Sequence, residues 1–395
     1  MQLRYKASYE AGEGWIPGTA LSKRLITEAK KDPETAFLGE VSAVVLQQAL
    51  RDNDAAFKNF LDSATGRRKA KRIGEPRFRS RRDSRQTIRF TANSRFKVTD
   101  AGRLSLPRIG EVKVRWSRPL PSEPGSVTVI RDAAGRHFAS FVVVTDRAGD
   151  LGRFPDVEAE TGIDLGLTHF AVLSDGTKIE SPKFLRRAEK KLKRLQQDLS
   201  RKQKSSNNRR KAVLKVAEAH AHVANARRDF HHKLSTQIIA ENQGVYVEDL
   251  AVAGLGRTRL AKSVHDAGWS SFVNMLEYKA ARYGREFGKV DRWAPTSQVC
   301  STCGVSNGKK PLSIRTWQCG GCGTVRDRDL NAAKNILALG RRESLNACGA
   351  QVRPGLVPAQ RGEAGTHRGD LTSAKPALSG AAGIPAHQGG GGVKV

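Results

Sequence analysis

Apolar residues recur at mostly helical intervals over 18–64, where Val41, Val44, Val45 and Leu46 lead to Ala49 and Leu50, then to Ala56, Phe57, Phe60 and Leu61. From 86 to 145 the period shortens to that of strands. The runs are Thr87-Ile88-Arg89-Phe90, Val112-Lys113-Val114-Arg115-Trp116, Val127-Thr128-Val129-Ile130 and 138–144, with turn signals at Ala101-Gly102 and Ala134-Gly135. This predicts a β-barrel or open sheet carrying a helical insertion. Residues 146–160, rich in Asp, Gly and Pro, read as a linker. Strands are then expected up to Asp164, at 169–173 and at 177–180 around an Asp175-Gly176 turn. Two long helices should follow over 183–203 and 208–241, then a strand at 244–248, a helix at 266–283, a strand at 285–291 and a helix starting near Asp329. On the long helices, Leu192, Leu195 and Leu199 form one stripe, and Val213, Val216, His220, Val223 and Arg227 another. Strands first, with helices interspersed, suit a ribonuclease-H-like α/β layer. From Arg341 onward periodicity vanishes under Gly, Ala, Pro and Arg, so 341–395 is expected to be disordered.

Charge changes the picture. The net formal charge is +30, from 69 Lys and Arg against 39 Asp and Glu. So large an excess favours a polyanion as partner, bound through counterion release. The excess is concentrated: 67–97 holds 13 basic residues against two acids, with Phe78, Phe90 and Phe96 interleaved, and 183–233 holds 17 against four. A solvated helix pair normally mixes signs, so this one is read as a nucleic-acid face. No run of 18 apolar residues occurs, and the start lacks the apolar stretch of a secretory signal. The expectation is an intracellular protein, cytoplasmic and associated with the prokaryotic nucleoid, with no membrane partner.

Three carboxylates carry the candidate chemistry. Asp164 lies in Gly-Ile-Asp-Leu-Gly-Leu, Glu248 in Val-Tyr-Val-Glu-Asp-Leu, and Asp329 in Asp-Arg-Asp-Leu-Asn-Ala-Ala-Lys-Asn-Ile. Brought together by a fold, they supply the hard oxygen ligands that a pair of Mg²⁺ ions needs to hydrolyse a phosphodiester. Either Asp327 or Asp329 could also serve as a helix cap. Cys300-x-x-Cys303, fifteen residues, then Cys319-x-x-Cys322 has the spacing of a closed, four-thiolate structural zinc site. Cys348 reads as a plain thiol. His220 and His222 would diverge on a helix, and neither they nor His231-His232 read as functional.

The order of Gly162-Ile-Asp-Leu-Gly166, Val247-Glu-Asp-Leu250, Pro295-Thr-Ser-Gln-Val-Cys-Ser-x-Cys-Gly304, Cys319-x-x-Cys-Gly323 and Asp327-Arg-Asp-x-Asn-Ala-Ala333 resembles the TnpB/OrfB family, transposon-encoded proteins related to the type V CRISPR effectors. The resemblance implies an α/β plus β architecture: a wedge-type β-barrel with a helical recognition insert (1–150), a RuvC/RNase H-like nuclease with two basic helices (151–299), an inserted zinc ribbon (300–325), a final RuvC-like motif and helix (326–340) and a tail (341–395). The family pattern opens with a barrel strand and a first helix before the segment resembling Met1–Thr19, so either the start codon is misplaced or the barrel lacks its first strand. The implied activity is RNA-guided, Mg²⁺-dependent cutting of double-stranded DNA next to a short transposon-adjacent motif. The guide RNA would come from the transposon end. Asp164, Glu248 and Asp329 would be the catalytic, Mg²⁺-binding triad, and Cys300, Cys303, Cys319 and Cys322 the zinc ligands. Asp327 matches no catalytic position. The alternatives are an RNA-guided DNA binder that does not cut, and a transposase acting directly on DNA ends.

Overall fold

Helical turns open the described part of the chain, which in this computed structural model comprises residues 16–68, 72–77, 80, 83–144, 154–311 and 313–347. Helix α1 (Gly18–Ser22), a π-helical stretch (Lys23–Glu28) and two 3-10 turns (Ala29–Lys31 and Ala36–Glu40) precede one long helix, α2 (Ala43–Ala64). The helical region expected over 18–64 is therefore interrupted, and Pro33 supplies the reason. It lacks an N–H, and the residue before it, Asp32, is forced into extended backbone.

Six short strands follow: β1 (Gln86–Thr91), β2 (Lys97–Val98), β3 (Arg103–Leu106), β4 (Gly110–Lys113), β5 (Ser126–Arg131) and β6 (His137–Val142). They form two antiparallel sheets, in the orders β1-β5-β6 and β2-β3-β4. Among the described residues, hydrogen bonding does not close one ring of strands. Phe90, Phe96, Leu104, Leu106 and Val127 are buried between the sheets, with Val45 of α2 packed on them. The strand expected through Trp116 ends at Lys113 instead. Trp116 turns inward, stacks on Phe141 and donates its indole N–H to the Gly102 carbonyl at 2.8 Å.

The second unit is described from Phe154. It contains β7 (Glu160–Leu165), β8 (His169–Leu173), β9 (Lys178–Glu180), α3 (Phe184–Ser200), α4 (Asn207–Glu241), β10 (Gly244–Glu248), α5 (Val252–Leu255), α6 (Ala261–Ala267), α7 (Trp269–Tyr283), β11 (Glu286–Val290), β12 (Thr316–Gln318), β13 (Val325–Asp327) and α8 (Arg328–Ala347). Its sheet has the order β11-β10-β7-β8-β9, with β7, β10 and β11 parallel and β8 antiparallel to its neighbours. Alternation along the parallel strands sends Ile163, Val245 and Val247 to one face, where Ile238 and Ile239 of α4 and Phe272 and Leu276 of α7 cover them. The opposite face carries Gly162 and Tyr246, and α8 lies on it.

Four expectations need correction here. The helix predicted over 266–283 is two helices, because Gly268 sits at φ +68 and ends α6 before α7 begins. The packed face of α4 is offset from the predicted stripe: Ala212, Ala219 and Val223 are buried, whereas Val213 is 47% exposed. Small alanines let α3 and α4 approach closely around Leu192, and hydrophobic patterning under-reads them. The supposed linker is partly strapped down. Phe154 packs on the Tyr283 ring at 4.3 Å, and β7 already begins at Glu160, although 146–153 lie outside the described residues. Finally, 341–347 continue α8. Arg341 pairs with Glu160 and Ser344 meets Glu286, polar anchors that no apolar period announces. Cys348, the rest of the tail and residues 1–15 lie outside the described residues.

Candidate active site

The site begins with strand register. β7 and β10 run parallel with Ile163 opposite Val247, so the next residues, Asp164 and Glu248, are neighbours at the carboxyl ends of adjoining strands. Period-two alternation puts both on the face of Gly162 and Tyr246, the face that α8 covers. Why α8 lies so close is written in two glycines. A Cβ on Gly162 would stand 2.2 Å from the Ala333 carbonyl oxygen and 2.4 Å from the Leu337 nitrogen; one on Gly340 would stand 2.3 Å from the Tyr246 ring. The helix backbone rests directly on the strand backbone, and its first turn carries Asp329 to the strand ends.

Asp327, not Asp329, caps that helix. Its Oδ1 accepts from the Asp329 and Leu330 N–H groups, both at 3.0 Å, while its Oδ2 accepts from the Lys178 ammonium at 2.7 Å. Burial works against ionisation, yet these bonds hold the Asp327 carboxyl below the usual range. The division of labour leaves the Asp329 carboxylate free to face the other two acids. Its partner is Arg315, whose guanidinium donates to Oδ1 at 3.1 Å and Oδ2 at 3.3 Å and reaches Thr168 Oγ1 at 3.2 Å.

The three acids interact electrostatically. Burial, then the negative charges of Asp329 and Glu248, push Asp164 up to about 7, against the smaller pull of Arg328 and Arg315. Glu248 is also raised, by burial and by Asp249 beside it. Crowded carboxylates of this kind fit a divalent cation, which removes the repulsion that lifts Asp164. Among the described residues, the cysteines are the only three or more metal-capable side chains whose ligand atoms all lie within 4.8 Å of one another. The three carboxylates do not form such a group. A cavity of about 140 Å³ opens beside Glu248, lined also by Asp249, Trp269 and Lys289.

The cysteine quartet consists of two matching turns. Cys300 N–H bonds to the Val305 carbonyl and Gly304 N–H to the Cys300 carbonyl; Cys319 N–H bonds to Thr324 and Gly323 N–H to Cys319 in the same pattern. Gly304 and Gly323 both take positive φ, +74 and +69, to close these turns. Across the turns, Cys300 Sγ lies 3.8 Å from Cys322 Sγ, and Cys303 Sγ lies 3.5 Å from Cys319 Sγ. Thiolates around one tetrahedral zinc at ~2.3 Å stand roughly 3.8 Å apart, so the quartet fits zinc. The Cys322 N–H and the Asn307 amide hold the Cys319 thiol down to about 6, which favours the ligating thiolate.

Two asparagines of the last motif, to which sequence reasoning assigns no bonding role, tie this module to the acids. Asn331, 2% exposed, accepts from Ser301 N–H at 2.9 Å and donates to the Val299 carbonyl at 2.8 Å; Asn335 donates to Thr296 and Val299 at 2.7 and 2.8 Å. Both asparagines lie on α8, on successive turns just beyond Asp329. Arg315 is the third omission. It sits in an irregular loop with no motif around it, and only the fold gives it meaning. Of the histidines singled out above, His220, His222 and His232 are exposed, and His231 is buried against Phe170 with Nε2 on the Ala267 carbonyl at 2.9 Å, where burial pushes it down to about 4.

Comparison with known proteins finds relatives over most of the chain. A family model described as "Probable transposase" matches residues 153–259, and another, "Cas12f1-like, TNB domain", matches 269–336. A Streptomyces pristinaespiralis protein named "Putative RNA-guided DNA endonuclease" is 45% identical over 337 residues, covering 84% of this chain and 80% of that one. The Escherichia coli (strain K12) protein "Putative RNA-guided DNA endonuclease InsQ" is 32% identical over 368 residues, covering 89% and 87%. Among solved structures, the "Cryo-EM structure of the Cas12f1-sgRNA-target DNA complex" matches with a TM-score of 0.45 and 15% identity, over 85% of this chain and 78% of that one. Among the described residues, no helix is long and apolar enough to cross a membrane.

Proposed function

Because this chain belongs to the TnpB/OrfB family of transposon-encoded proteins, we propose that it is an RNA-guided endonuclease that cuts guide-matched double-stranded DNA beside a short transposon-adjacent motif. Asp164, Glu248 and Asp329 form its hydrolytic site in a RuvC/RNase H-like layer. The observation that carries this reading is the meeting of three carboxylates from separate elements, where burial and then the charges of Asp329 and Glu248 lift Asp164 to about 7. Magnesium, bound by these carboxylates, would supply charge stabilisation to the scissile phosphate. The chain's own groups do the rest. Arg315 offers a guanidinium at the same spot, able to leave Asp329 for a phosphate oxygen. Asp327 fixes where the helix starts, and hence where Asp329 points.

Cys300, Cys303, Cys319 and Cys322 would hold zinc as a structural crosslink of the ribbon. The exposed cations of α3 and α4 would track the backbone of the guide–target heteroduplex, leaving sequence selection to base pairing. The N-terminal unit, with strands beside a helical segment, is read as the wedge-type barrel and its recognition insert.

The full chain bound to its guide RNA should cut matched DNA in Mg²⁺. Asp164→Ala should lower the cleavage rate by at least ~10³-fold while target binding stays within about two-fold. Cleavage surviving that substitution would remove the carboxylates from the reaction. Binding without any cut by the unaltered protein would instead make it a guided DNA binder.

A further inference from the structure

Trp293 is 84% exposed, although tryptophan has the most to gain from burial. It is not on a loose loop. Its own N–H donates to Asp291 Oδ1 at 2.6 Å, and the Ala294 N–H to the Asp291 carbonyl at 3.0 Å, which fixes the turn. Behind it, the carbonyls of Thr296 and Val299 are gripped by Asn335 and Asn331. In front, Arg292 is clipped to Asp249 through Nε at 3.1 Å, and Asp249 N–H bonds to the Val290 carbonyl at 3.0 Å. Val290 is the register partner of Glu248. The backbone under the indole is thus fixed and the ring stands in water, three residues beyond Val290, the register partner of the candidate catalytic Glu248.

We propose that Trp293 is a stacking platform for one unpaired nucleobase of the strand being cut, fixing that strand as it enters the carboxylate site. This rests on the endonuclease reading above. A single indole offers about 200 Å², far short of the ~1,200 Å² or more of a stable protein interface. It matches the face of one base, and stacking there is indifferent to sequence. A base inside a duplex has both faces covered, so the occupant must be unpaired. The excess of 30 positive charges selects a nucleic acid over other flat aromatic ligands.

The test uses the full chain with its guide RNA, in EDTA for binding and in Mg²⁺ for cutting, with single-stranded oligodeoxynucleotides as probe. Trp293→Ala should weaken binding about 5- to 150-fold, and Trp293→Phe much less. One abasic nucleotide, scanned along the strand, should at a single position cost the unaltered protein the same factor and cost Trp293→Ala nothing further. The fluorescence lost in Trp293→Phe should be the part quenched by the oligonucleotide. Normal cutting with no quenching and no abasic coupling would overturn the stacking role alone. Quenching and coupling in a protein that never cuts would uphold it and sink the endonuclease reading instead.

Discussion

Where Gly162 lacks a side chain, the backbone of α8 fills the space, and that close approach delivers Asp329. Gly162→Val would force the helix outward, since its neighbours there are main-chain atoms that cannot swing aside. The expected loss is about 1–3 kcal/mol of stability, together with cleavage. Gly254→Ala, where an added Cβ meets nothing within 4 Å, should change neither. Thermal unfolding and a cleavage assay on both variants check this. At this scale the sequence is legible where chemistry restricts the choice of residue. Carboxylates and thiolates announce themselves, because few side chains hold metals. Arg315 does not, because arginines abound in this chain and only the fold shows which one meets Asp329. Asp327 was the better cap candidate of the two, since small residues for tight packing follow Asp329, and Asp327 does cap the helix.

Among the elements, the ribbon and α8 behave as one piece. Asn331 and Asn335 spend their amides on the chain entering the first knuckle, so disorder in the ribbon should reach Asp329. Removing zinc with a chelator and then restoring Mg²⁺ should leave cleavage lost. Asn331→Ala, which strands buried carbonyls at a cost of about 1–3 kcal/mol, should keep its zinc by metal analysis and still cut at least ~10-fold more slowly. Full activity in the zinc-free protein would show the two sites to be independent. Element boundaries were readable where hydrophobic period and punctuation agree, as for α4 and β10. A boundary was misread where one glycine overrides the period, at Gly268, and the buried face of α4 where alanines carry the packing, at Ala212 and Ala219.

Over the whole molecule, charge is the property that sequence states most directly. Substituting Lys191, Lys193 and Arg194 of α3 by Gln should weaken target binding uniformly across matched sequences. It should also flatten the dependence of log affinity on log salt by about 0.7–0.9 for each phosphate no longer neutralised. An unchanged slope in a titration would exclude α3 from the nucleic-acid path. The topology of the first unit was hardest to foresee, because two-residue and four-residue strands such as β2 and β3 are too short to show a period. One junction in the second unit has a further consequence. Asp327 is at once the last residue of β13 and the cap of α8, so no spacer separates ribbon from helix. The outer loop of the ribbon can therefore grow or shrink among related chains without moving the carboxylate. A single residue inserted between Cys322 and Asp329 would swing it by about 100° around the helix axis, and the interval between them should be invariant wherever this architecture cuts.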